Sequence, residues 1–397
     1  MVGLGAVHAV VRVETPDAPA AEPRRTLVVL QPTTFCNLDC SYCYLPERHR
    51  TVKMRPEVLR AVCSGILSSS LVGDSVVFLW HLGEPLAMPR EFYEEAFETA
   101  ARAAERHGRR VQHGFQTNAT LLDGAWVDLI RRHRVGMGVS VDGPAFIHDR
   151  VRTTRRGGPT HAAVMRGVGL LQEAGIGFGA ISVLTDFTLD HPEEFYDFFV
   201  DHGIREVGFN IDEIEGVNRT SSLGSADSTE RYEEFLARLL ERAEHHRGAV
   251  KIREVWTNTA ALAYGGADPV NTTNQPFHIF NVDHLGNVST FCPELVTARA
   301  ADGAGFAMGN LVDRPLDEML EHPTFRGVRD EIAAGVQKCR ETCDYWAFCG
   351  GGSPSNKFFE TGRFDVAETR TCRVHKKATV DVLLRHLQRR TGSALAP

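Results

Sequence analysis

This chain predicts an α/β architecture: a partial barrel of six strand–helix units, (β/α)6, followed by a cysteine-rich C-terminal domain. Three observations carry that expectation. β-type apolar runs alternate with helical stretches from residue 26 to about residue 250. The alternation then gives way to a hairpin-like stretch and a run of cysteines. The 397 residues, 43% hydrophobic, are more than one small core needs. The expected organisation is an N-terminal extension (1–25), the α/β part (26–250), a bridging segment (251–275), the cysteine-rich domain (276–375) and a C-terminal helix and tail (376–397).

Residues 1–25 alternate weakly and then turn Ala/Pro-rich, as an edge strand and a linker do. Strands are predicted over 27–31, 75–80, 111–117, 136–141, 176–184 and 206–211. Helices are predicted over 56–68, 90–107, 122–133, 161–173, 192–201 and 229–246. Short connections between such units predict a parallel sheet with right-handed crossovers. Chemistry in these folds collects at the C-terminal strand ends. The polar stretch 213–228 reads as a surface or lid loop. Beyond 251 the chain reads helical and then loop-like, and two β-type runs flanking Gly286 predict a hairpin. A short helix over 317–322 is expected to stop at Pro323. A basic helix over 376–390 closes the chain.

The formal charge is −7 with both signs well mixed, and no basic block supports a nucleic-acid partner. No apolar run approaches the roughly 18 residues of a membrane span. Glu14 and Asp17 break any signal-peptide pattern, so a cytoplasmic protein is expected. In a reducing compartment, the clustered members of the nine cysteines read as metal ligands or redox groups. Cys63, among Val62, Ile66 and Leu67, reads as a small buried hydrophobe.

Cys36-x3-Cys40-x2-Cys43 follows the first strand, with Phe35, Tyr42 and Tyr44 around it. Three thiolates on one tight loop can take three corners of a cubane iron–sulfur cluster and leave the fourth iron open. Zinc is the alternative, weakened by the lack of a histidine at ligand spacing. The run resembles the cluster motif of radical S-adenosylmethionine (SAM) enzymes. The resemblance continues through Trp80-His81-Leu82-Gly83-Glu84-Pro85, through Gln116-Thr117-Asn118 and through Ser140-Val141-Asp142-Gly143, at successive strand ends. It covers about residues 26–212 and implies a barrel of the radical SAM type with a 4Fe-4S cluster that binds SAM. It implies that Gly83, Glu84 and Pro85 meet the methionine end, and that Tyr42, Gln116, Asn118, Ser140 and Asp142 also surround the cofactor. Leu82 stands where the family often has glycine. Each residue also has a plainer use: Glu84 and Asn118 as turn formers, Asp142-Gly143-Pro144 as an ordinary turn. The implied chemistry is one-electron cleavage of SAM to a 5′-deoxyadenosyl radical that abstracts hydrogen from an unactivated C–H bond.

Cys339-x3-Cys343-x5-Cys349-x22-Cys372 supplies four thiolates, enough for a closed zinc or iron–sulfur site on spacing alone. With Gly350-Gly351-Gly352 and Pro354-Ser355-Asn356-Lys357 behind Cys349, the tail resembles the SPASM domain of peptide-modifying radical SAM enzymes. A full SPASM domain has seven cysteines for two clusters; here Cys292 and these four make five. The resemblance therefore implies one auxiliary 4Fe-4S cluster on the last four. Cys292 is left as a core residue, a catalytic thiol or a swapped ligand.

Within that group the chain looks most like the cyclophane-forming maturases of ribosomal precursor peptides. These join an aromatic ring carbon to the β-carbon of a residue two positions on. The implied partners are a precursor peptide and a low-potential electron donor such as flavodoxin or ferredoxin. An anaerobic sulfatase maturase, oxidising Cys or Ser to formylglycine, is the alternative, and a non-catalytic, metal-stabilised peptide-binding protein is another. Asp283, Asp212 and Glu213 are the candidate general bases, with Glu215 also at the end of the sixth strand. Asp283 and Asp212 also read as caps of hairpins or turns, and for Asp283 that reading is the slightly favoured one.

Overall fold

The computed structural model describes residues 25–264, 269–300 and 302–391. The expected N-terminal extension, apart from Arg25, lies outside the described residues, as do 265–268 of the bridging segment and 392–397 of the tail.

The strand–helix alternation begins with β1 (Arg25–Leu30), α1 (Pro56–Ser68), β2 (Ser75–Trp80), α2 (Arg90–Arg106) and β3 (Arg110–Thr117). It continues through α3 (Gly124–His133), β4 (Gly136–Ser140), α4 (Ala145–Val151), α5 (His161–Glu173), β5 (Phe178–Leu184), α6 (Pro192–Asp201), β6 (Glu206–Ile211) and α7 (Ser228–His245). Local sequence accounts for these elements. Leu27 to Leu30 is a continuous apolar run buried on both faces, as an interior parallel strand requires. α1 and α6 start on proline, whose fixed φ suits the first helical turn and whose missing N–H is not needed there. Asp123 caps α3 by accepting from the Trp126 amide at 2.8 Å.

A short β7 (Lys251–Ile252) and α8 (Arg253–Tyr264) follow, then the predicted hairpin, β8 (Ile279–Val282) and β9 (Asn287–Thr290), and a short β10 (Gly309–Asn310). All ten strands form one sheet in the order β10-β9-β8-β1-β2-β3-β4-β5-β6-β7. From β8 to β7 every pairing is parallel; β9 and β10 are antiparallel. The sheet is open, with β10 and β7 at its edges. The hairpin therefore extends the α/β sheet: Leu27 pairs with Ile279 and Leu30 with Val282.

Beyond it lies a helical, cysteine-rich extension: α9 (Pro323–Thr342), α10 (Pro354–Thr361) and α11 (Ala378–Thr391). Here one expectation is corrected. The 317–322 helix is a 3-10 turn, Leu316–Glu321, and Pro323 starts a 20-residue helix. Proline is excluded from a helix interior, yet it is well suited to the first turn. Cys372–Lys377 forms a π-helical turn that leads into α11.

The end of β2 is held by an aromatic cluster. Tyr93 on α2 meets Trp80 edge-on at 5.3 Å and Phe115 at 4.7 Å, and Phe115 meets Trp126 at 6.0 Å. Such pairs add about 0.5–1.5 kcal/mol each beyond burial. The Tyr93 hydroxyl donates to the Pro85 carbonyl at 2.8 Å, fixing the turn after β2.

Candidate active site

The loop after β1 is pinned by its backbone. The Cys36 amide donates to Arg48 O (2.9 Å), Asp39 to Thr153 O (2.8 Å) and Ser41 to Val151 O (2.9 Å). The Arg48 guanidinium donates to Asp39 Oδ1 (2.6 Å) and to the Cys43 carbonyl (3.0 Å). Held this way, Cys36, Cys40 and Cys43 all line one cavity of about 130 Å³ at the C-terminal strand ends. Asn118 Nδ2 lies 3.9 Å from Cys36 Sγ, and Arg152 Nη1 lies 4.0 Å from Cys40 Sγ. Burial, then the charge of Glu84, pushes the Cys36 thiol well up; burial pushes Cys40 up to about 12. Desolvated thiols of this kind ionise against a bound cation, so the donor set suits a thiophilic metal group. Among the described residues no three His, Cys, Asp or Glu side chains converge on a single metal-ion position.

The β2 turn forms the adjoining wall. Glu84 is buried, and its Oε1 accepts from Thr117 Oγ1 (2.6 Å) and the Leu86 amide (2.9 Å) while Oε2 accepts from the Asn118 amide (2.9 Å). Burial raises it to about 7 against those hydrogen bonds. Gly83 has φ +129, and a Cβ there would come within 2.5 Å of the Thr33 carbonyl. Leu82 also has positive φ, +66. That conformation costs a non-glycine residue about 1–2 kcal/mol, whereas burying a leucine side chain gains about 1.5–3 kcal/mol. Leu82 is fully buried, so the substitution for glycine is offset. His81 lines the cavity, and burial lowers it to about 4.

Asp142 is placed one layer behind the cavity. Its Oδ2 accepts from the Tyr42 hydroxyl (2.5 Å) and Arg152 Nε (2.9 Å), and its Oδ1 from the Val183 amide (3.0 Å). The carboxylate is spent on bracing Tyr42 and Arg152, which line the cavity in its stead. Pro85 likewise sits behind the wall, opening a 3-10 turn. Gln116 and Ser140 do line it, joined at 2.9 Å, with Gln116 Oε1 lacking a partner among the described residues.

Asp212, Glu213 and Glu215 form the far wall. Asp212 accepts from Asn218 Nδ2 (3.0 Å) and the Ser222 amide (2.7 Å), so both its oxygens brace the following loop. Glu213 Oε2 accepts from Asn356 Nδ2 of α10 at 2.5 Å. Burial holds both Glu213 and Glu215 above the usual carboxylate range, Glu215 the more strongly, with Glu294 adding to it. Glu215 Oε1 has no partner among the described residues. Asp283 lies away from the cavity. It accepts from Leu285 N, Asn287 N and Asn287 Nδ2 at 2.9, 2.9 and 2.7 Å, which is a hairpin cap.

Cys339, Cys343, Cys349 and Cys372 gather in the extension. After burial, the charges of Cys349 and Cys343 are among the influences that raise both Cys339 and Cys372, the latter to about 12. Cys339 Sγ donates to the Ala367 carbonyl at 2.8 Å and accepts from Lys357 Nζ at 3.5 Å. A buried ammonium beside clustered thiols suits an anionic thiolate–metal group. Cys292 stands apart in the core, 1% exposed, with Sγ 3.5 Å from Ser353 Oγ.

A family model described as the Radical SAM superfamily matches residues 30–199. The chain is 39% identical over 373 residues, 93% of both proteins, to an uncharacterised protein of Synechocystis sp.. Residues 30–199 thus form a radical SAM superfamily domain. It is also 29% identical over 367 residues to a serine-type anaerobic sulfatase-maturating enzyme of Bacteroides thetaiotaomicron, covering 87% of this chain and 86% of the relative. The solved structure of native anSMEcpe with bound AdoMet and Cp18Cys peptide superposes with a TM-score of 0.74 at 22% identity, covering 93% of this chain and 99% of the other. The radical SAM fold here is thus an open α/β sheet with a C-terminal cysteine-rich, SPASM-like helical extension.

For this radical SAM enzyme, twelve sequence-derived candidates line the one cavity: Cys36, Cys40, Cys43, Tyr42, Gly83, Glu84, Gln116, Asn118, Ser140, Asp212, Glu213 and Glu215. Pro85, Asp142, Asp283, Cys292 and the four tail cysteines lie elsewhere. Arg152 was not anticipated. It sits just past the end of α4, 112 positions from the thiol it faces, and no local pattern marks it.

Proposed function

We propose that the protein oxidises a peptide side chain at its β-carbon by radical SAM chemistry. The observation that carries this is the single cavity in which three thiols and the cofactor-type wall stand opposite two buried glutamates. Cys36, Cys40 and Cys43 would hold a 4Fe-4S cluster open to SAM, and Cys339, Cys343, Cys349 and Cys372 an auxiliary one. When bound, these groups supply, respectively, the electron that generates a 5′-deoxyadenosyl radical and a one-electron acceptor. Tyr42 and Arg152, locked by Asp142, fix the floor of the cavity. Gly83 and Glu84 shape the methionine end, and Gln116, Asn118 and Ser140 the remainder. Glu215 receives the substrate proton, since its raised pKa suits uptake from a weakly acidic group near neutral pH.

The balance is the same for either product. One hydrogen atom leaves Cβ, one proton goes to Glu215, and one electron would pass to the auxiliary group when it is bound; Ser then gives the aldehyde directly, whereas Cys gives a thioaldehyde that water hydrolyses with release of sulfide. The named relatives favour a formylglycine-type oxidation of Cys or Ser in a protein substrate. A second reading, the aromatic-carbon-to-Cβ crosslink of a cyclophane, is favoured by one feature. Ser353 lies in hydrogen-bond reach of Cys292 where the SPASM resemblance expects a cysteine, leaving ligands for one auxiliary cluster. Mass spectrometry of a short peptide encoded beside the gene, co-expressed with the enzyme, tests this. Loss of two hydrogens with no trappable aldehyde supports the crosslink; an aldehyde captured by a hydrazide supports formylglycine. An unmodified peptide under reducing, SAM-replete conditions refutes the proposal.

A further inference from the structure

We propose that Lys357 sets the reduction potential of the four-cysteine site, holding it high enough to accept the substrate electron. This rests on the reading that Cys339, Cys343, Cys349 and Cys372 hold an iron–sulfur cluster.

Lys357 is in the first turns of α10 and only 3% exposed. Its Nζ donates to Cys339 Sγ at 3.5 Å. Burial lowers the ammonium from its ordinary range, and the charges of Cys339, Cys349 and Cys372 oppose that. Among the described residues no carboxylate lies within ion-pair distance of it. A buried lysine is ordinarily paired with an acid; this one is paired with ligand sulfurs. The fold makes room for it. A Cβ at Gly335 of α9 would sit 3.1 Å from the Lys357 ammonium and 2.1 Å from the Phe364 carbonyl.

The electrostatics follow from charge counting. Four thiolates around an oxidised 4Fe-4S core make a doubly negative group, and one-electron reduction makes it triply negative. A fixed ammonium stabilises the second state more than the first. A donor hydrogen bond to a ligand sulfur acts in the same direction, and both raise the potential of a cluster. The three-thiol site has a guanidinium near Cys40, but Asp142 neutralises it at 2.9 Å. The uncompensated cation belongs to the auxiliary site, where the mechanism needs an acceptor.

The test uses the full chain, reconstituted anaerobically, with iron content and midpoint potentials followed by EPR-monitored redox titration. Lys357→Met should keep its iron and lower the auxiliary midpoint by an amount that shifts the oxidised-to-reduced ratio at least tenfold, about 59 mV for a one-electron couple. Lys357→Arg should restore most of the wild-type value, and the three-thiol site should not move in either. If Lys357→Met does not fold, Lys357→Gln, which keeps an N–H donor without the charge, must shift the potential in the same direction. An unmoved auxiliary midpoint in an iron-replete neutral variant overturns the role of Lys357 and leaves the proposed function standing. So does loss of auxiliary iron in the neutral variants alone, because the lysine would then build the site instead of tuning it. Unchanged iron content in Cys343→Ala overturns the ligand assignment, and the role of Lys357 with it.

Discussion

Cys36, Cys40 and Cys43 line a cavity, while Cys339, Cys343, Cys349 and Cys372 lie outside it, near enough together that, after burial, the charges of Cys349 and Cys343 help raise both Cys339 and Cys372. The neighbours differ as much as the thiols. The first group has an amide and a guanidinium already neutralised by a buried carboxylate. The second has a buried ammonium with ligand sulfur as its partner. Three ligands with open space suit a site that must admit a cosubstrate. Four ligands with a counter-charge suit a site that only exchanges electrons. On the proposed function, number of thiols and sign of the nearby charge together would separate starting a radical from disposing of its electron.

The largest effect should come from breaking each group in turn. Alanine at Cys36, Cys40 and Cys43 together should abolish SAM cleavage to 5′-deoxyadenosine while the tail keeps its iron. Alanine at Cys349 should remove the auxiliary iron and abolish peptide product while SAM cleavage persists. Equal loss of SAM cleavage in both would erase the division of labour. Glu215→Gln comes next. A positioned base contributes about 10²–10⁴-fold, and turnover should fall by that order. The sign of the pH dependence follows from the raised pKa. The working carboxylate exists above that pKa, so activity is present at higher pH and lost as pH falls, with its acid limb above the ordinary carboxylate range. That limb should vanish in the variant, as read from kcat/KM against pH. The smallest effects are on stability. Asp142→Ala strands the buried Arg152 and should cost about 3–5 kcal/mol in denaturant unfolding. Asp365→Ala, at the exposed Lys338–Asp365–Arg363 cluster beside the closed group, should leave the unfolding midpoint nearly unmoved, because water screens those charges.

The six-strand alternation was legible because most strands are short apolar runs and several helices carry a start signal, Pro56, Asp123 and Pro192 among them. Strands 75–80 and 206–211 match the folded boundaries, and the others fall within two residues. The cysteine loop was legible because its spacing is local. Three things were not. Pairing of β8 with β1 joins residues some 250 positions apart, and strand periodicity carries no information about a distant partner. The direction of the Asp142 side chain depends on Arg152 and Tyr42, which only the folded chain brings to it. Pro323 stops or starts a helix according to the residues that follow, and the amphipathic stretch behind it decided the matter. The hairpin cap at Asp283 was readable from Asp283-His284-Leu285-Gly286 as a turn, and turn chemistry fully occupies its oxygens.

The pairing of β8 with β1 also bears on how this chain can be divided. β1 is an interior strand only because the hairpin lies against it. A fragment ending before residue 276 would turn the apolar run 27–30 into an outer strand with a free row of N–H and C=O groups, a template for sticking to other chains. The strand that leads into the Cys36–Cys43 loop is thus completed by residues from the far half of the sequence. A swap of tails between such proteins would have to carry the hairpin as part of the cassette.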